Sequence, residues 1–109
     1  MPHYMVQFAY TTETWQTLMH KPEDRTPALE SLAKQAGGRL LSLYYHAGEY
    51  DGVAIFEAPD DASVNAAIFA AQAAGGVRAT RTTRLYTPKE MVDALGRAGK
   101  IVYQRPGAK

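Results

Sequence analysis

Gly48-Glu49-Tyr50-Asp51-Gly52 stands between two strand-like runs, and its glycines mark the middle of the fold. Ahead of it, Arg39 to Tyr45 is rich in Leu and Tyr; behind it, Val53 to Phe56 is short, apolar and partly β-branched. A hairpin across the glycines follows from that arrangement. Downstream, Glu57-Ala58-Pro59-Asp60-Asp61 ends the second arm and opens a helix, with Asp60 or Asp61 able to accept the free amide bonds of its first turn.

Upstream, Tyr4 to Tyr10 alternates with period two and puts Tyr4, Val6, Phe8 and Tyr10 on one face of a strand. Thr11 to Met19 has room for a helical turn or two before Pro22 and Pro27 interrupt the pattern. The spacing of Leu29, Leu32, Ala33 and Ala36 predicts a helix from about Thr26 to Ala36, ended by Gly37-Gly38. Val64, Ala67, Ile68 and Ala71 give the helix after the hairpin one apolar face; Gly75-Gly76 ends it and a strand from Val77 to Tyr86 follows. The order strand, helix, strand, strand, helix, strand is that of an α+β, ferredoxin-like split βαβ fold, with a four-stranded antiparallel sheet and both helices on one face. Thr87-Pro88-Lys89-Glu90 combines a capping box with proline at the first helical position, which predicts a short C-terminal helix through Met91, Val92 and Leu95. The expected domain is 1–98 and the tail 99–109, in which Ile101-Val102-Tyr103 reads as an edge strand or a partner-binding arm.

At 109 residues and 46% hydrophobic, the chain has one domain's worth of material. It holds no apolar run near the roughly 18 residues that span a bilayer, and Met1-Pro2-His3-Tyr4 lacks the pattern of a signal peptide, so a cytoplasmic protein without a membrane partner is expected. The absence of cysteine excludes disulfides, thiolate nucleophiles and Cys-ligated metals. Twelve basic residues against eleven acidic give no electrostatic footprint for a nucleic-acid partner. Arg78, Thr80, Thr82, Arg84 and Tyr86 share one face of the last strand, but the Lys/Arg-Gly-aromatic run of an RNA-recognition sheet is missing. The paired glycines follow helices instead of preceding them, and no Gly-Lys-Ser/Thr accompanies them, which excludes a phosphate loop. His3, His20 and His46 have no ligand spacing; neither a metal nor a cofactor is expected.

With both helices on one face, the other face of the sheet needs a cover. The first strand also carries Met5 and Ala9, and the second reads as Leu41, Leu43 and Tyr45 on one side with Leu40, Ser42, Tyr44 and His46 on the other, so neither side is plainly polar. A homodimer or higher even oligomer through the open face is expected, since a two-fold axis lets one patch cover its own copy. The competing arrangement has the C-terminal helix and tail fold back over that face.

These elements together resemble the GYD domain family of small ferredoxin-like proteins. The resemblance runs from Tyr4 to about Leu95 and rests on the Tyr4 to Tyr10 strand, Lys21-Pro22-Glu23-Asp24-Arg25, Gly37-Gly38-Arg39, Gly48-Glu49-Tyr50-Asp51 and Glu57-Ala58-Pro59-Asp60-Asp61, with Glu49 standing inside the Gly-Tyr-Asp element. It implies a ferredoxin-like fold related to dimeric α+β barrels, and brings no reaction with it.

Two functions of different class remain. The preferred one is a homo-oligomeric module that binds a small molecule or partner in a pocket at the sheet or dimer interface, with Arg25, Tyr44 and Tyr50 orienting an anionic or aromatic ligand. Glu57 is there the buried carboxylate, paired with Arg78, Arg81 or Arg84. The other is a cofactor-independent enzyme, monooxygenase- or isomerase-like, in which His46 moves protons with Tyr50 or the carboxylate of Asp51. A third reading keeps the turn purely structural, with Asp51 capping local turn amides and Tyr50 packing on the sheet.

Overall fold

The hairpin is present: β2 (Arg39–Tyr45) and β3 (Gly52–Glu57) pair antiparallel in a computed structural model that describes residues 1–107. Around it lie β1 (His3–Tyr10), α1 (Thr12–His20), α2 (Thr26–Gln35), α3 (Asp61–Ala73), β4 (Val77–Leu85) and α4 (Pro88–Ala98). The sheet runs β2-β3-β1-β4 with every neighbour antiparallel, the ferredoxin-like order. The expected turn or two after β1 is a helix of nine residues, because the Thr11 side chain accepts from the Thr14 amide at 3.1 Å and so caps its start.

β1 lies between β3 and β4, and its alternation sorts the two faces. Tyr4, Val6, Phe8 and Tyr10 are all under 9% exposed beneath the helices. Opposite them on the helix side stand Phe56, Ala54 and Gly52 of β3, and Arg84, Thr82 and Thr80 of β4. Among the described residues, six of the nine buried hydrophobic residues form two clusters. One is Tyr4, Ala58 and Val64 with Ile68. The other is Phe8, Tyr10 and Ala54, joined by Trp15, Leu18, Leu40, Leu43, Phe56 and Val77.

β2 departs from strict alternation. The register shifts between Leu40 and Ser42, so Leu40, Leu43 and Tyr45 all pair with helix-side residues of β3, while Ser42 and Tyr44 oppose Ile55 and Val53 on the open face. The extra residue, Leu41, corrects the simple two-sided reading of this strand. The open face therefore carries Met5, Val53, Ile55, Thr83 and Leu85, all half-buried, with Tyr44 exposed.

Glycine ends α2 and α3 as expected, with Gly37 at φ 84° and Gly75 at φ 87°. Gly38 has a different cause: a Cβ there would collide with the Glu57 carbonyl oxygen, so the link from α2 to β2 can pass close to the end of β3 only at a glycine. Asp60, not Asp61, caps α3 through the Ser63 amide at 2.8 Å, while Asp61 accepts the Tyr4 hydroxyl and ties the helix start to β1. The capping box of α4 is complete, Thr87 and Glu90 each accepting the other's amide.

α4 buries no side chain and makes at most marginal contact with the other elements, so the fold-back over the open face does not occur within one chain. Residues Ile101 to Tyr103 are exposed and form no strand, which removes the edge-strand expectation. The radius of gyration is accordingly 17.8 Å, against about 13 Å for a compact domain of this length.

Candidate functional site

The helix layer leaves an opening between α1 and α2 on one side and α3 on the other. Alanine is the local cause: Ala70 and Ala71 of α3 and its C-cap Ala74 line the gap, and these reach too little to close it. The resulting cleft has a volume of about 670 Å3. Val6 and Phe8 of β1 with Ala54 and Phe56 of β3 form its floor, and Leu29 and Leu32 of α2 face Ile68 of α3 across it.

Polar groups gather toward the α1–α2 connection. Arg25 lines the cleft beside Glu23, to which its guanidinium donates at 2.8 Å. The Tyr10 hydroxyl lies 3.1 Å from that of Tyr45, on the helix side of the sheet. Phe8, Tyr10, Trp15 and Tyr45 pack there in tilted and edge-on pairs with ring centroids 5.3–6.3 Å apart. Burial, then the bond to Tyr45, pushes the Tyr10 phenol well above its ordinary pKa, opposed by the positive charge of Arg25. Near neutral pH it is a hydrogen-bonding group and not a base.

The residues anticipated as a site divide between the two faces. Arg25 lines the cleft; Tyr44 and Glu57 stand in open-face register, Tyr44 against Val53 and Glu57 against His3 and Arg39. Glu57 is paired, but not by β4: Arg39 Nε lies 3.1 Å and His3 Nε2 3.6 Å from its oxygens. β1 separates β3 from β4, so Arg81 and Arg84 sit a strand too far; Arg84 instead pairs with Glu90 at 3.3 Å and lies over the Tyr86 ring at 4.7 Å.

His46 is exposed and its Nδ1 lies 3.3 Å from the Ala47 carbonyl. Neither His46, Tyr50 nor Asp51 lines the cleft. Asp51 does accept an amide, but a distant one: its Oδ2 takes the Tyr10 N–H at 2.9 Å, its own N–H donates to Phe8 O at 2.8 Å, and its carbonyl accepts from His46. The carboxylate stitches the hairpin turn to the end of β1, where Tyr10 lies beyond the last β1–β3 pair, Phe8 with Gly52, and its amide has no ladder partner on β3. Sequence reasoning missed Tyr10 and Tyr45 as polar site residues because their apolar alternation placed them in the core. The signal available was that a buried tyrosine needs a hydroxyl partner.

Nothing in the described residues has a helix long and apolar enough to cross a membrane. No curated protein matches the chain by sequence. By structure, it resembles MtbAldR, with a TM-score of 0.51 and 14% identity over 99% of this chain, a likeness of fold. This chain spans 57% of that one's length. The profile of the GYD domain matches residues 4–95, from the first strand to the last helix, and the chain therefore belongs to the GYD domain family.

Proposed function

We propose that this chain is a homo-oligomeric, cytoplasmic small-molecule-binding module whose ligand, an apolar or aromatic body with an anionic group, occupies the cleft between helices and sheet. The cleft itself is the supporting observation: a space of about 670 Å3, floored by Val6, Phe8, Ala54 and Phe56, with Arg25 and Tyr10 at its polar end. Pockets of this size and lining suit small ligands, and a guanidinium beside a neutral phenol suits a carboxylate or sulfonate. Binding without chemistry is favoured over a cofactor-independent enzyme because His46, Tyr50 and Asp51 lie outside the cleft, and no histidine lines it.

Assembly through the open sheet face is part of the same reading. Met5, Val53 and Ile55 form its apolar middle, with Tyr44 exposed toward one edge and Leu85 in the row of Glu57, Arg39 and His3 at one end. A two-fold axis would cover this patch with its own copy.

The test uses 8-anilinonaphthalene-1-sulfonate, an aromatic body with one anionic group. Saturable binding at one site per chain is expected. Arg25→Gln should weaken it roughly tenfold or more, the scale of one charge-assisted hydrogen bond, and Ala71→Leu should block it by filling the cleft. Tyr44→Ala, on the other face, should leave it unchanged. Undiminished binding in Ala71→Leu would overturn the cleft as the site.

A further inference from the structure

The strongest apolar surface left uncovered belongs to α4. Met91, Val92, Leu95 and Ala98 share one side of this helix, and Lys89, Asp93 and Arg97 the other. Met91, Val92 and Leu95 are 53%, 69% and 58% exposed, and beyond the helix Ile101, Val102 and Tyr103 are 72%, 88% and 78% exposed. A helix of 11 residues is marginal alone in water, and Gly96 in its interior lowers its propensity further. Its capping box and the Asp93–Arg97 pair at 3.0 Å support its start and its polar side, but neither uses the apolar stripe.

We propose that α4 and Ile101–Tyr103 form an arm that packs on a second copy of this chain, each copy's arm covering the margin of the other's open sheet face. The inference rests on the sheet-to-sheet dimer proposed above. Continuity with that surface identifies the occupant. Leu85 is the last residue of β4, in register with His3 on the open face, and α4 begins at Pro88. Those three residue steps, through extended Thr87 at ψ 160°, span about 10 Å, which is also the spacing of two stacked sheets. The connection is thus long enough to deliver α4 to the partner's layer, and in the structure α4 is not packed back over its own sheet. The two-fold axis repeats the contact, so the exchange closes at two copies.

The experiment is sedimentation equilibrium of the full chain from nanomolar to micromolar concentration, with Leu95→Asp, Met91→Asp and, on the polar side of the helix, Asp93→Ala. Circular dichroism and denaturant unfolding follow the body, which α4 does not help to bury. Each apolar-to-Asp change should weaken the dimer about tenfold per arm and so about a hundredfold per dimer, with Asp93→Ala unchanged. A monomeric wild-type chain overturns both the dimer and the arm. A dimer whose dissociation constant is unmoved by Leu95→Asp and Met91→Asp leaves the sheet-to-sheet dimer standing and overturns the arm alone. Lower stability with an unchanged dimer constant would place the arm on its own chain, which also overturns it.

Discussion

Replacing Asp51 by alanine tests the contact that ties the hairpin turn to the sheet. Tyr10 is 8% exposed and its amide, one step past the end of the β1–β3 ladder, donates to Asp51 Oδ2 at 2.9 Å. Alanine keeps the backbone bonds of residue 51, to Phe8 and from His46, and removes only the carboxylate. The stranded amide then costs about 1–3 kcal/mol, the penalty of an unpaired buried donor. Asparagine keeps an acceptor and loses the charge, so its cost is smaller, about 1 kcal/mol by the difference between charged and neutral hydrogen bonds. Urea unfolding followed by circular dichroism reads both. With a slope of about 1–3 kcal/mol per molar for a small domain, a loss of about 2 kcal/mol moves the midpoint by roughly 1 M. All chains are compared at one protein concentration, because association shifts apparent stability. The order wild type, Asp51→Asn, Asp51→Ala is expected; equal midpoints for wild type and Asp51→Ala would refute the carboxylate's structural role.

Two further predictions concern backbone and pH. Gly37→Ala and Gly75→Ala should each destabilise by roughly 1 kcal/mol through their positive φ, Gly38→Ala by clearly more because its Cβ meets the Glu57 carbonyl, and Gly76→Ala least since its nearest neighbour is Thr14 Oγ1 at 3.5 Å; thermal midpoints in any other order contradict this. Tyr4, bonded to Asp61 and buried, and Tyr10, buried and bonded to Tyr45, both have phenol pKa values raised above 10.0. The folded state therefore holds their protons more tightly than the unfolded chain, and stability should be complete below pH 10 and decline as pH rises beyond it. Absorbance at the phenolate band should show two of the seven tyrosines ionising above the ordinary phenol range in the folded state, and titration of all seven in that ordinary range would contradict the assignment.

The fold was legible wherever local chemistry and periodicity agreed. Tyr4 to Tyr10 alternates and is a strand; Gly37 and Gly75 stop helices; Thr87 and Glu90 make a capping box visible from spacing alone. α1 was underestimated because its capping residue, Thr11, follows the strand without a break and its apolar positions are few. The faces of β2 were misassigned because a register shift leaves no mark in composition. The candidate site was harder still. Arg25 is legible as a ligand-orienting group, but the residues that line the cleft with it are not Tyr44, Tyr50 or Glu57: the cleft is made by what α3 lacks in side-chain volume. The partners of Glu57 depend on strand order, which places β1 between β3 and the arginines of β4.

The irregularity at the start of β4 bears on how relatives should be aligned. Ala79 faces Ala9, yet Val77 and not Arg78 faces Tyr10, so one residue is extra at this point. That insertion lets Val77 join the Phe8 and Tyr10 cluster while the Arg78 guanidinium turns away to the Glu49 carbonyl at 3.1 Å. A relative one residue shorter here would keep Ala79 to Leu85 in place and still need an apolar residue opposite Tyr10. The gap in an alignment therefore belongs at Arg78; placed anywhere further along the strand, it would exchange the helix-side and open-face residues between the gap and Arg78 and assign Thr80 of the cleft to the wrong side of the sheet.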